Sequence, residues 1–248
     1  MALRKQTKKK SRVKNWLINI GLLLLLLIGL ALIFNNQIRS WIVQINSEAY
    51  SASRLTPEQV KKNAQRKVSY DFDAVESLST ESVLKAQLKN KDLPVIGVIA
   101  IPDVSVNLPI FKGLSNVALL TGAGTMKADE AMGKGNYALA SHRTEDGVSL
   151  FSPIERVKPD QLIYVTDLTT VYTYRITSVN KVEPTRVELI DDVPNKKLIT
   201  LITCGDLQAT TRIAVQGELI TTTPIGKTST TIRDAFKIKQ KTLENWVR

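Results

Sequence analysis

The sequence predicts an all-β domain, a closed barrel of seven or eight short strands, carried on an N-terminal membrane helix and a helical stem. Three observations lead there. A charge-free apolar run lies near the N-terminus, the texture changes abruptly after Pro94 to short β-branched runs, and Gly, Pro, Asn and Asp cut those runs at close intervals. Many short strands of this kind are accommodated best by a sheet that closes on itself.

Residues 1–15 hold seven Lys/Arg and no acid, and read as a basic cytoplasmic tail. Residues 16–34 follow without a charge, Leu22–Leu27 unbroken among them, and at about 1.5 Å per residue they span roughly 28 Å, the depth of a bilayer's hydrocarbon core. A cleaved signal peptide would have a shorter apolar stretch ending in small residues, and Leu30, Ala31, Leu32, Ile33, Phe34 offer no such site. After the span only Arg39 and Arg54 occur within twenty residues, so the Lys/Arg asymmetry keeps the N-terminus in the cytoplasm and the rest outside. Residues 35–92 form an extracellular stem, a polar spacer. Thr56, Pro57, Glu58, Gln59 is a capping-box helix start, and Thr80–Leu88 repeats apolar positions at helical spacing.

The folded β domain is expected over 93–222. Its strands are read at Val95–Ile101, Val104–Leu108, Tyr137–Ala140, Leu162–Thr166, Val171–Val182, Leu198–Thr203 and Ile213–Ile220, with one helical interruption at Ser149–Val157. Residues 223–248 are a basic C-terminal tail, solvated from Gly226 onward.

The net charge of +11 invites a nucleic-acid reading, and its distribution dismisses it. The first fifteen residues carry +7, residues 226–248 carry +4, and everything between sums to zero, which leaves no electrostatic footprint for a polyanion. One cysteine cannot close an internal disulfide, so a domain outside the membrane must hold by packing alone. One cysteine and one histidine also make no zinc site of the usual kind.

That cysteine, Cys204, ends an apolar strand and precedes Gly205 and Asp206. A lone cysteine is commonly a small buried hydrophobe, but strand ends are where sites gather. If the strands before and after Gly205–Thr211 pair as a hairpin, Arg212 faces Cys204. A guanidinium there favours a thiolate and has hydrogen bonds to give an oxyanion on an attacked carbonyl. His142 also ends a strand, and it is the only side chain in the molecule that titrates near neutrality unperturbed. Cys/His/Arg acyl transfer and a structural role for each residue both remain open at this point.

Thr200, Leu201, Ile202, Thr203, Cys204 resembles the T-L-x-T-C signature of sortases, with Arg212 downstream where that family carries an arginine and His142 in a matching Ala140, Ser141, His142. Gly97–Pro102, Leu108–Ile110 and the Gly122–Thr125 turn extend the resemblance over roughly residues 90–222. The N-terminal anchor is similar to class A, the cell-wall sorting transpeptidases of Gram-positive bacteria. The resemblance implies an eight-stranded sortase-type β-barrel with short helices and recognition of LPXTG-bearing surface proteins. It also implies cleavage between Thr and Gly through a thioester on Cys204, and transfer to the amine of a lipid-linked peptidoglycan precursor. His142 would move protons to and from the amines, and Arg212 would hydrogen-bond the reacting centre.

The same resemblance puts Ala140 and Ile202 in the substrate groove. It lends the Thr203 backbone N–H to the oxyanion and makes Val182, Pro184, Val187, Leu189 and Ile190 an apolar wall. One member type binds calcium through acidic residues before the histidine and one near this wall. Here Glu130 and Asp192 fit, but Lys127 and Lys134 stand where carboxylates are needed. The expectation is therefore no cofactor, no metal and calcium-independent activity. Two other readings use the same residues: a cysteine peptidase that only hydrolyses, told apart by the products formed with an added amine, and a silent wall-binding module, told apart by an unreactive Cys204.

Overall fold

The computed structural model describes residues 4–72, 75 and 92–237, so the helix expected at Thr80–Leu88 and the end of the basic tail lie outside the described residues. The chain divides into two compact units, Met1–Ile38 and Arg39–Arg248. In the first, helix α1 (Arg4–Ile33) contains Val13–Ile33, long and apolar enough to cross a bilayer and with none of it buried in protein. Helix α2 (Asn35–Ala49) follows.

Helix α3 (Pro57–Ala64) starts at the expected capping box. The Gln59 N–H donates to Thr56 Oγ1 at 3.3 Å, the Thr56 N–H donates to Gln59 Oε1 at 3.0 Å, and Pro57 opens the first turn. The stem is more than a spacer, however. Val43 of α2 is buried in the main core, and Val60 of α3 is buried while Asn63 Nδ2 donates to the Val95 carbonyl at 2.9 Å.

Eight strands close into one barrel: β1 (Val95–Ile101), β2 (Val106–Phe111), β3 (Ala123–Thr125), β4 (Asn136–Ala140), β5 (Leu162–Thr166), β6 (Thr170–Val182), β7 (Leu198–Cys204) and β8 (Arg212–Pro224). The order around the barrel is β1-β2-β3-β4-β7-β8-β6-β5. β4 runs parallel to β7, and β7 and β8 form an antiparallel hairpin. Side chains alternate in and out with period two. Ile99 and Ile101, Leu108 and Ile110, Tyr137 and Leu139, Ile163 and Val165, Tyr174 and Ile176, Ile199 and Leu201, and Ile213 and Val215 meet in one core. Burying each such side chain contributes about 1.5–3 kcal/mol.

Several boundaries differ from the sequence reading. The second strand begins at Val106 because Pro102–Val104 winds into a 3-10 turn that ends on Ser105 in the left-handed region (φ 58°). β3 is only three residues long, too short to leave a periodic signal. The helical interruption shrinks to a 3-10 helix at Ser152–Arg156. The tail is docked rather than solvated as far as residue 237. β8 runs on to Pro224, a short helix spans Thr230–Ala235, and Ala235 and Phe236 bury against Val98, Ala100 and Val171 on the outside of the barrel.

Candidate active site

The sheet register decides which residues meet. Leu139 and Leu201 point into the core, so Ala140 and Ile202, paired across β4 and β7, point outward. The Ser141 N–H donates to the Ile202 carbonyl at 3.2 Å and carries the parallel pairing one residue further. His142 and Cys204 stand two residues beyond the Ala140 and Ile202 pair, on the same outer face. On the other side of β7, Cys204 pairs directly with Arg212, the expected hairpin register. All three line one cavity of about 240 Å³, together with Ala140, Ile202 and Thr203. A larger cavity of about 790 Å³ lies by Tyr164 and the 230–235 helix, and neither cysteine nor histidine lines it.

His142 is held by its loop. Its carbonyl accepts from the Phe151 N–H at 3.2 Å, and Arg143 makes a two-pronged pair with Glu155 at 2.7 and 3.1 Å. Inside the loop, the Asp146 carboxylate accepts from the Val148 and Ser149 N–H groups, each at 2.9 Å, and from Ser149 Oγ at 2.5 Å. Such a cage fixes the backbone that presents the imidazole. Burial pushes His142 down to about 4, because a buried imidazolium loses its hydration. Burial likewise pushes the Cys204 thiol up; the Arg212 guanidinium opposes the shift and Asp206 adds to it. At neutral pH both groups are therefore mainly uncharged.

Arg212 Nη1 donates to the carbonyls of Ala209 at 2.8 Å and Thr211 at 3.0 Å. These bonds anchor the side chain to the β7–β8 loop, and Nη2 and Nε make no hydrogen bond among the described residues. The loop is ordered by Asp206, which accepts from Thr211 Oγ1 at 2.6 Å, Thr210 Oγ1 at 2.7 Å and the Thr210 N–H at 2.8 Å. These donors hold its carboxyl well below the usual range.

The expected apolar wall is not in this cavity. Val182 ends β6 opposite Arg212 in β8, while Pro184 is exposed in the loop that follows. Val187, Leu189 and Ile190 belong to a single 3-10 turn, Val187–Ile190, and Val187 is 70% exposed. The Leu189 carbonyl accepts from Asn136 Nδ2 at 2.9 Å, a bracing contact. Of the five, Ile190 comes nearest in role, packing on the cluster that holds Ala140 and Ile202. One-turn geometry explains the difference, since a 3-10 helix points its side chains in three directions rather than along one wall. Cavity residues that the sequence reading passed over include Phe72 and Val75 from the stem and Leu207 from the β7–β8 loop. Only Leu207, a leucine stranded between polar loop residues, left a signal.

At the other end of β4, Lys127 Nζ lies 2.6 Å from Asp192 Oδ1, which also accepts from the Asn136 N–H at 2.9 Å. Glu130 accepts from the N–H groups of Met126 at 3.1 Å and Ala138 at 2.9 Å. Among the described residues no group of three acidic, histidine or cysteine side chains is placed to hold a metal ion. Burial outweighs those N–H donors and lifts Glu130 from 4.5 to about 8. Unfolded, the carboxyl ionises near 4.5; folded, it keeps its proton until about 8. Over that interval the native state binds more protons than the unfolded one, so stability falls as pH rises. Thermal unfolding between pH 5 and 8.5 should show this decline in the parent protein and a flatter curve in Glu130→Gln; parallel curves would contradict it.

The chain matches the sortase domain family over residues 99–220. It is 49% identical over 229 residues to Sortase A of Streptococcus agalactiae serotype III (strain NEM316), covering 90% of this chain and 92% of that protein. It is 40% identical over 206 residues to Sortase A of Listeria monocytogenes serovar 1/2a (strain ATCC BAA-679 / EGD-e), covering 83% and 92%. The crystal structure of Listeria monocytogenes sortase A superposes with a TM-score of 0.53 at 41% identity, over 57% of this chain and 96% of that one. With the signature residues at one rim of an eight-stranded closed barrel, and with identity running through stem and barrel together, the chain belongs to the sortase family, in its class A.

Proposed function

We propose that this membrane-anchored sortase transpeptidase uses Cys204 as nucleophile, His142 as general acid and base, and Arg212 as hydrogen-bond donor to the reacting carbonyl. The observation that carries this reading is the register that gathers all three at one cavity on the outer face of β4, β7 and β8. The substrate is a surface protein with an LPXTG-like signal. The Cys204 thiolate attacks the threonine carbonyl carbon, and the negative oxygen takes hydrogen bonds from the unengaged nitrogens of Arg212. As the tetrahedral centre collapses, the Thr–Gly bond breaks and the His142 imidazolium gives its proton to the departing glycine amine. A thioester remains, activated enough for an amine to replace water as acceptor. His142 takes a proton from the incoming amine, the new amide forms, and the thiolate leaves. Ala140, Ile202 and Thr203 floor the cavity where the signal would lie.

The acceptor we assign is the amine of a lipid-linked peptidoglycan precursor, reached from outside the membrane. Basic residues concentrated before the span support a single-pass orientation with the N-terminus in the cytoplasm and the catalytic domain outside. The 2.6 Å pair of Lys127 with Asp192 supports work without calcium, since an ammonium already neutralises that carboxylate. Adding a chelator or millimolar calcium should leave the rate unchanged, and a large loss with chelator would contradict it. The central test is incubation of the full chain with an LPXTG peptide and an amine. The expected product is the peptide joined through threonine to the amine; hydrolysis alone, unaffected by amine, would make the protein a peptidase instead.

A further inference from the structure

Helix α2 turns one stripe of side chains toward the barrel, and that stripe reaches the loop that presents His142. Arg39, Val43 and Ser47 recur every four residues, and Ser40 stands three before Val43, so all four share one side of the helix. Val43 is buried in the main core, Ile42 packs on Leu120, and Ser47 Oγ donates to the Thr121 carbonyl. These contacts fix the helix against the barrel. One turn before Val43, the same stripe meets the segment 142–149. Arg39 Nη1 lies 3.5 Å from Glu145 Oε1, the two side chains being 11% and 41% exposed. The Ser40 hydroxyl donates to the Asp146 carboxylate.

Asp146 is the hub of that segment. Burial raises its carboxyl, but hydrogen bonds from Ser149, Ser40, Thr144 and the Val148 N–H together outweigh burial and hold it below the usual range. It is a carboxylate at neutral pH, so those bonds are charge-assisted. Thr144, two residues beyond His142, is held twice: its Oγ1 donates to Asp146 Oδ1 at 2.5 Å and its N–H donates to Ser152 Oγ at 2.7 Å. Ser40 therefore adds a donor from outside the loop to the group that orders it, and Arg39 holds the neighbouring carboxylate. We propose that Arg39 and Ser40 are positioning residues for transpeptidation, holding Glu145 and Asp146 so that the loop keeps His142 on the cavity it shares with Cys204. An ion pair with one partner this open to water adds little to global stability. Its consequence is local order, and a slightly misplaced proton carrier costs more in rate than in folding. The inference rests on the role of His142 proposed above.

The test uses the full chain in detergent micelles, with carbon-13 at the histidine Cε1. His142 is the sole histidine, so its ring gives one resonance. The parent protein should show one narrow signal at the position of a neutral imidazole. In Ser40→Ala and in Arg39→Gln that signal should broaden or split. In the same variants kcat for joining an LPXTG peptide to an amine should fall about tenfold with KM for the peptide unchanged, less than the roughly 10²-fold that a full misplacement of about 1 Å costs. Alkylation of Cys204 by iodoacetamide should keep its parent rate, because α2 holds the His142 loop and not the end of β7. Ser40→Thr, which keeps the hydroxyl, should recover both the narrow signal and the rate. An unchanged signal with kcat within about twofold of the parent would overturn the proposal. So would a loss seen only as a lower unfolding temperature, the result expected of a helix with a merely structural role. If His142→Ala left turnover intact, the proposed proton transfer would fail, while the resonance would still decide whether α2 holds the loop.

Discussion

Replacing Cys204 with alanine abolishes transfer of an LPXTG peptide to an amine, a loss of at least about 10⁴-fold, because the hydroxyls that also line the cavity, Ser141 and Thr203, are far weaker nucleophiles and already donate to the Gly122 and Ser141 carbonyls. The barrel should be unaffected. Cys204 is part-exposed at the end of β7, its contribution to the core is small, and Ala keeps the strand pairing with Arg212. Circular dichroism and thermal unfolding of the variant should therefore match the parent while turnover disappears. Mass spectrometry supplies the complementary result: the parent protein trapped during turnover gains the mass of the peptide up to threonine, and the variant gains nothing. Retained turnover in the variant would remove Cys204 from the mechanism. Since it is the sole cysteine, no second thiol is available to blur the outcome.

His142→Ala should cost about 10²–10⁴-fold, the usual worth of a positioned proton carrier, and the pH dependence of the parent enzyme should reveal how that carrier works. Burial sets His142 at about 4 and lifts the Cys204 thiol above its ordinary value. The productive form has a thiolate beside an imidazolium, so it is a small minority at every pH. Its share grows as pH climbs toward the His142 value, stays level between the two titrations, and falls only above that of Cys204. The profile of kcat/KM should therefore be a broad plateau from mildly acidic to alkaline pH. A decline beginning near pH 6–7 would indicate instead a stable ion pair with an ordinary histidine. Alkylation of Cys204 by iodoacetamide separates the same two cases. Its rate should rise about tenfold per pH unit through neutrality, whereas a pre-formed thiolate would react at a constant rate.

Much of this architecture is legible in the residues themselves. The charge-free run before Asn35 marks a helix long and apolar enough to cross a bilayer, because that property is one of length and hydropathy alone. Thr56 to Gln59 declares a helix start because capping is a local hydrogen-bond pattern, and both bonds are present. Strands such as Leu162–Thr166 are marked by β-branched runs between turn residues. The hairpin facing of Cys204 and Arg212 also follows from a loop between two apolar strands.

Other features depend on residues far apart in the chain. The neighbourhood of His142 and Cys204 is set by parallel pairing of β4 with β7, strands separated by some sixty residues whose register no local pattern encodes. The inward turn of Val43 and the docking of Phe236 depend on apolar surface that exists only once the barrel has closed. The loop 187–190 was readable as apolar, but whether it lined the cavity was a matter of one tight turn and of the Asn136 and Leu189 hydrogen bond. Sequence by itself therefore marked the apolar N-terminal helix, the strand content and the three candidate side chains Cys204, His142 and Arg212, since each is written in composition or short-range pattern. Tertiary structure alone decided their convergence at one cavity, the lowered titration of His142 and the raised one of Cys204, because burial and strand register are properties of the assembled barrel.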